Sequence, residues 1–458
     1  MTVSSPLPPS VDAVVIGSGF AGLSAAVRLA ERGRRVLVLE EAPRLGGRST
    51  SFLDRDSGER VDNGQHALFG CYRETYDFLR RVGAADLAPL QSQLSVTMAG
   101  QGKVETLTCP SLPAPWHLVG GLMRWRAVTT ADRLSALRLF SFLRAVRARG
   151  AAAVAAETPG HLTVTAWLRE RGQSPALCTW LWNPLAIAAL NQSPDTAAAS
   201  AFVRVLGELF GGDPAAAAIG LATVPLDDLF APQATTFLRQ RGGDVVLRAG
   251  ARLAVNVAGG FAVRANDAEV TSPVVVSAVA WHAFERLWSG AVPEPLADLT
   301  ATAAAMSSSP IVTVNLWIRN VAPQEQLPPF VGFVDGPMHW LFDKRRIASD
   351  MRHLSIVASG AESLLRQDNA ALTELAHAQL VQRLPAFRNS AIERSVVVRE
   401  PRATFSLAPG GPVRPGPVTN LPGFFLAGDW TDTGLPGTIE GAVRSGYAAA
   451  DAVLSAGS

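Results

Sequence analysis

The sequence predicts an α/β chain: a parallel sheet assembled from both ends of the polypeptide, with an α+β region threaded between its parts. Three observations point there. Residues 11–16 are a short apolar run that enters a glycine-rich turn and then a helical stretch. Residues 423–427 are a second such run, followed by a loop and a helix to about position 450. Midway, residues 242–257 read as strand-forming and close at Gly259-Gly260. At 458 residues the chain suits two domains.

The N-terminal element is the most specific. The run Val-Asp-Ala-Val-Val-Ile leads into Gly17-Ser18-Gly19-Phe20-Ala21-Gly22, a helix through Arg32, a stop at Gly33 and a strand at 35–39 ending in Glu40. This is GxGxxG in the strand–turn–helix–strand setting of a Rossmann-type dinucleotide unit. Gly17 permits the tight turn, Gly19 lets backbone approach a pyrophosphate, and Gly22 lets the helix pack close to the strand. Phe20 and Ala21 open the helix whose N-terminus favours phosphate, and Glu40 is placed to accept hydrogen bonds from a ribose.

Composition narrows the rest. With 48% hydrophobic and 17% charged residues the chain is globular, and a net charge of +2 supplies no basic field for nucleic acid. Cys71, Cys109 and Cys178 are too scattered for a CxxC pair or a zinc site, so no metal is expected, and sparse cysteines suit a reducing cytoplasm. Residues 1–10 lack the order of a secretory signal. No apolar run reaches the roughly 18 residues of a spanning helix.

After Glu40 come Glu41-Ala42-Pro43-Arg44-Leu45-Gly46-Gly47-Arg48, in which Arg44 and Arg48 are placed to pair with pyrophosphate oxygens. An acid followed by Arg four residues on and then Gly-Gly-Arg resembles the amine-oxidase and carotenoid-desaturase superfamily of flavoproteins. That resemblance implies non-covalently bound FAD, with no cysteine in the C-terminal segment to form a thioether. It also implies that Asp429 of Gly428-Asp429 bonds the cofactor near the ribityl chain. The helix start around Gly437-Thr438-Ile439, with Ala442 following, then faces the pyrimidine edge of the flavin, where negative charge on the reduced ring suits a helix N-terminus. Gly64 belongs to the same cofactor set, and backbone at Leu253 is implied to contact adenine.

The expected architecture is therefore a discontinuous Rossmann-type FAD-binding domain, at 1–95, 236–290 and 395–458, with an α+β substrate domain at 96–235 and 291–394. Few tyrosines (72, 76 and 447) and the almost wholly apolar stretch 177–190, with Trp180 and Trp182, suit a long hydrocarbon better than a charged amine.

More local stretches are informative: Asp62-Asn63-Gly64-Gln65-His66, Trp182-Asn183-Pro184-Leu185, Arg402-Ala403-Thr404-Phe405 and Gly428-Asp429-Trp430-Thr431. Together they resemble hydroxysqualene dehydroxylases of bacterial hopanoid synthesis. The resemblance implies replacement of the hydroxyl of hydroxysqualene, or of a similar C30 isoprenoid, by hydrogen from reduced flavin, with an external electron donor. A carotenoid-type desaturase, an amine oxidase and a non-catalytic isoprenoid-binding protein are the alternatives. The departing hydroxyl calls for a proton donor, and His66, Asp62 and, more weakly, His339 are the candidates; an ordered water is another.

Between positions 106 and 156 seven arginines (124, 126, 133, 138, 144, 147 and 149) face one acid, Asp132. Leu134, Leu137, Phe140, Leu143 and Val146 recur there at helical spacing, downstream of Trp116, Leu118, Leu122, Met123 and Trp125. A basic amphipathic helix beside aromatics is the pattern of interfacial membrane contact, and equally of a helix packed on its own domain. A cytoplasmic protein peripheral to the inner face of the cell membrane is the expectation.

Overall fold

The computed structural model describes residues 7–100, 102–256, 259–320, 327–344 and 352–456. Among them, five short parallel strands form one sheet in the order Phe424–Leu426, Val275–Ser277, Ala13–Ile16, Val36–Leu39, Asp244–Val246. Its strands thus come from both ends of the chain and from its middle. The two central strands at 13–16 and 36–39 are buried at every position, which is why they read as unbroken apolar runs instead of alternating ones.

The strand ends are stitched by the next residue along each chain. Gly17 N–H donates to Leu39 O, Ala278 N–H to Ile16 O, Ala427 N–H to Ser277 O, and Glu40 N–H to Val246 O, at 2.8–2.9 Å. The loops that follow these strands consequently leave from one edge, the carboxyl end of the sheet, where ligands bind in open α/β sheets. Helix Phe20–Glu31 and helix Ile439–Ala456 pack side by side against one face of the sheet and begin at that edge. A Cβ on Gly446 would lie 2.2 Å from Ser24 Oγ, so glycine there sets how close the two helices approach.

A three-stranded antiparallel sheet, Ala251–Val255, Phe261–Ala265 and Ala268–Ser272, follows the last strand of the parallel sheet. The larger sheet has seven strands among the described residues, ordered 391–405, 308–319, 352–359, 340–343, 330–333, 95–100 and 103–108. One face buries Val312, Val314, Leu316 and Ile356 against helix Asn369–Arg383. The opposite face carries Thr313, Asn315 and Trp317, with His353 and Ser355 across the pairing, and turns toward residues 59–65. A helical layer built on Leu139, Phe142, Val146, Trp167, Trp182 and Phe202 completes the molecule. No helix among the described residues is long and apolar enough to cross a membrane.

The basic stretch folds differently from its sequence periodicity. It breaks into Thr130–Ala136, a 3-10 turn at Leu137–Leu139, and Phe140–Arg149. The face turned to the core carries Leu139, Phe142 and Val146, while Leu134 is 52% exposed. Leu134, Leu137, Phe140, Leu143 and Val146 recur every three residues, short of the 3.6 of an α-helical turn, so that stripe drifts around the helix and does not describe one face.

Candidate active site

Three loops meet at the carboxyl end of the parallel sheet. The first turns at Gly17, whose φ of +108° disfavours any side chain, and a Cβ on Gly22 would lie 1.9 Å from Gly17 O. Gly19 is different: a Cβ there meets only Gly46 O at 3.8 Å and Gly47 Cα at 3.9 Å, so the polypeptide itself does not demand glycine. Phe20 caps the hydrophobic core, stacked on Phe230 at 3.7 Å, and leaves its backbone, with that of Ala21 and Gly22, in the first helical turn, where N–H groups have no partner within the helix.

The second loop faces the first. Gly46 and Gly47 adopt φ of +97° and +60°, and a Cβ on Gly47 would come within 3.2 Å of Gly19 Cα. Glu40, at the strand end between them, is fixed by Ser18 N–H and Ser18 Oγ, both at 2.8 Å to Oε2, and by Ala42 N–H at 2.9 Å to Oε1. A carboxylate accepts about four hydrogen bonds, so capacity remains for a ribose hydroxyl. Arg44 and Glu41 are exposed on the same loop. Leu253 lies in the adjoining antiparallel sheet with its side chain buried, and its carbonyl accepts Ser289 N–H.

The third loop brings the C-terminal residues in. From the sequence, Arg48 is expected at a pyrophosphate and Asp429 at the ribityl chain; in the structure the two form an ion pair, and Arg48 also donates to Ala403 O at 2.7 Å. A Cβ on Gly437 would meet Asp429 Oδ2 at 3.1 Å, which places the start of the long helix beside that pair. Thr438 caps the helix, its Oγ1 accepting Gly441 N–H at 3.0 Å and its carbonyl accepting Ala442 N–H at 2.9 Å, with Ile439 between. Gly428, at φ +139°, is pinned by its N–H to Ser445 Oγ.

The segment 62–66 closes the site from the side of the large sheet. Asp62 is buried and receives four hydrogen bonds: Ser51 Oγ at 2.6 Å, Leu226 N–H at 3.1 Å, Lys344 Nζ at 2.6 Å and Gln65 Nε2 at 3.3 Å. Burial raises its pKa, but the Lys344 charge and these bonds outweigh it and hold the carboxyl below its ordinary value. Asp62 is therefore an anchoring anion with no proton to give, which removes it as a candidate acid. Asn63 reaches Arg48 O at 3.4 Å and Glu400 Oε2 at 3.3 Å, and a Cβ on Gly64 would lie 3.8 Å from Thr313 Oγ1.

His66 is partly buried, and its Nδ1 is out of solvent without a hydrogen-bond partner. Burial pushes the imidazole below its ordinary value; Asp62 opposes this, and Arg48 and Lys344 add to it. The ring is thus neutral near pH 7. His339 sits elsewhere: its Nδ1 accepts Ser359 N–H, burial pushes its pKa down to about 4, and it lines a cavity of about 460 Å³ with Leu168, Cys178, Ile187 and Phe333. None of the residues lining that cavity belongs to the three loops. The stretch 177–190 divides accordingly, with Leu177, Trp182, Ala186 and Leu190 in the helical core and Cys178, Asn183, Pro184 and Ile187 on the cavity wall.

Lys344 and Glu400 carry no signal in the sequence. Each sits among other charged residues in or just past a strand, 282 and 337 positions from the loop residue it touches.

The model of the flavin-containing amine oxidoreductase family matches residues 20–454, nearly the full chain. The chain belongs to that family. A hydroxysqualene dehydroxylase of Rhodopseudomonas palustris is 31% identical over 97% of this chain and 98% of its own length. A zeta-carotene desaturase of Arabidopsis thaliana is 24% identical, over 98% of this chain and 86% of its own. Among solved structures, a putrescine oxidase double mutant superimposes with a TM-score of 0.74 at 15% identity, covering 97% and 99% of the two chains; this likeness shows the fold. This member of the amine oxidoreductase family is an FAD-dependent oxidoreductase. Its residues fit the cofactor: facing glycine turns at 19 and 46–47 admit a pyrophosphate, Glu40 is fixed at the end of its strand, and two helix N-termini point to one edge.

Proposed function

We propose that this oxidoreductase removes the hydroxyl group of hydroxysqualene, or a closely similar C30 isoprenoid, reductively to give squalene. The observation that carries the reading is similarity to a hydroxysqualene dehydroxylase along the whole chain, at 31% identity against 24% for a carotene desaturase. Reduced FAD, when bound, supplies the hydride. The allylic C–O bond breaks, the oxygen takes up a proton delivered from solvent through an ordered water and leaves as water, and the carbon receives the hydride. Each turnover consumes two electrons, so an external donor is required.

His66 holds the leaving oxygen by a hydrogen bond, since burial keeps its ring neutral and so a poor source of protons. His66→Gln should then turn over at near the normal rate, while His66→Ala should be about 10²- to 10³-fold slower, roughly the range for losing one preorganised hydrogen-bond donor. Cofactor-binding roles for Gly17, Gly19, Gly22, Glu40, Arg48 and Asp429 follow from the fit described above. FAD is held non-covalently, and acid precipitation should release all the colour from the polypeptide.

The substrate dissolves in bilayers and not in water, and the exposed apolar residues Leu112, Trp116, Met123 and Leu134 lie beside exposed Arg124 and Arg126. This patch docks the protein on anionic lipid at the cytoplasmic face of the membrane. The deciding experiment is anaerobic incubation of dithionite-reduced enzyme with hydroxysqualene and analysis of the hydrocarbon formed. Squalene supports the reading. No squalene, together with polyene formation by the oxidised enzyme, identifies a desaturase, and a purified protein without flavin identifies a carrier.

A further inference from the structure

We infer that Lys344 is the positioning residue of the segment 62–66, setting where His66 stands in the site; the role given to His66 rests on the function proposed above. Lys344 lies just past strand Trp340–Asp343 of the seven-stranded sheet and is 5% exposed. Its Nζ stands 2.6 Å from Asp62 Oδ2 and 2.9 Å from Gln65 Oε1, and Gln65 Nε2 stands 3.3 Å from Asp62 Oδ2. The three side chains close a triangle. Its two loop members bracket Asn63 and Gly64 and immediately precede His66, so the ammonium group fixes both ends of the turn that delivers the imidazole.

The other ties of this turn explain why the triangle matters. Asp62 Oδ1 is held by Ser51 and Leu226, which anchors it to the flavin side, whereas Lys344 comes from the large sheet. Asn63 touches Arg48 O, and Gly64 faces Thr313. The ion pair therefore sets the gap between the sheet face and the glycine loop at 46–48. Burying a lysine and a carboxylate brings little net stability over an apolar pair of the same volume, because desolvation cancels most of the attraction. Orientation is what an apolar pair would not supply. A displacement of about 1 Å in a reacting group can cost about 10²-fold in rate.

The test compares Lys344→Met, the double variant Lys344→Met/Asp62→Asn, in which the amide oxygen still accepts from Ser51 and Leu226, and each of these on the His66→Ala background. The double variant removes both charges at similar volume, so it separates folding from positioning. For it we expect wild-type FAD stoichiometry, melting within about 3 °C of wild type, and a 10- to 100-fold lower kcat with KM changed by less than about threefold. On the His66→Ala background the same substitutions should lower kcat no further. Restoration of wild-type kcat in the double variant would mean that the pair only supports the fold. A full additional loss on the His66→Ala background would mean that Lys344 acts elsewhere, and either result overturns the inference. The visible circular dichroism of the bound flavin gives a readout independent of substrate. It should change in the double variant, and an unchanged spectrum would sink the inference even if hydroxysqualene proved not to be the substrate.

Discussion

Arg48 and Asp429 lie 381 positions apart in the chain and form an ion pair at the meeting point of the glycine loop and the C-terminal helix. The Arg48 side chain keeps 35% of its exposure and that of Asp429 only 4%, so desolvation of the carboxylate offsets much of the attraction and the pair adds little net stability to the fold. Its value lies in aiming both groups at the cofactor. Asp429→Ala should therefore leave the melting temperature of the apoprotein almost unchanged and weaken FAD about 10- to 100-fold, the loss expected for a hydrogen bond to a charged group. Titration of FAD into apoprotein measures it, and wild-type affinity would remove Asp429 from the site.

Two glycines of the first loop should fail in different ways. A Cβ at Gly19 meets nothing closer than 3.8 Å in the protein, so Gly19→Ala and Gly19→Val should yield folded, soluble protein, the valine variant binding no FAD. Gly22→Ala drives a methyl group to 1.9 Å from a carbonyl oxygen and should cost folding itself. Yield and flavin absorbance of the purified variants separate the outcomes. Coloured Gly19→Val protein would contradict the assigned pyrophosphate position.

The proposed membrane patch can be divided by residue. Arg138 donates to Gly172 O and Arg147 to Gly211 O, and Arg149 pairs with Glu157, so these three are tied to their own domain. Trp116→Ser with Met123→Ser should reduce co-sedimentation with anionic liposomes and leave flavin content intact. Arg124→Glu with Arg126→Glu should do the same and should also lessen the salt sensitivity of the remaining binding, since the screening length is about 8 Å at physiological salt. Unchanged sedimentation of both variants would make the patch ordinary surface.

Acid should destabilise the protein above the range in which ordinary exposed carboxylates titrate. Burial pushes His282, His339 and His353 down to about 4, against 6.5 for free histidine. Between these values the unfolded chain binds protons that the fold refuses, so stability falls as pH falls through that window. Glu440 opposes this, because burial raises its pKa to about 7 and the folded state then holds a proton that the unfolded chain, with its ordinary value of 4.5, has released. Its stabilising contribution is present at low pH and fades as pH rises toward 7. Three depressed histidines outweigh one raised glutamate, so the melting temperature should drop between pH 6.5 and pH 4.5. A melting temperature that rises on acidification would show that the histidines are less dry than their surroundings imply.

The sequence by itself determined the flavin half of this molecule. Gly17, Gly22, Gly46 and Gly47 are legible because each answers a local backbone demand, a turn or a close approach, and Gly19 and Glu40 because they stand at fixed offsets from that turn and from a strand end, all within a stretch of about thirty residues. It also showed that residues 13–16 and 424–426 were strands of a buried parallel sheet, since both faces of such strands are covered. Only the tertiary structure decided what depends on distant partners. It paired Arg48 with Asp429, clamped Asp62 with Lys344, set Glu400 against Asn63, and left His66 neutral with a dry Nδ1. It also turned Leu139, Phe142 and Val146 of the arginine-rich stretch into the core, a face that a three-residue stripe does not follow on an α-helix. Turn geometry is written in neighbouring residues, whereas the charge state and reach of a side chain are set by whatever the fold brings against it.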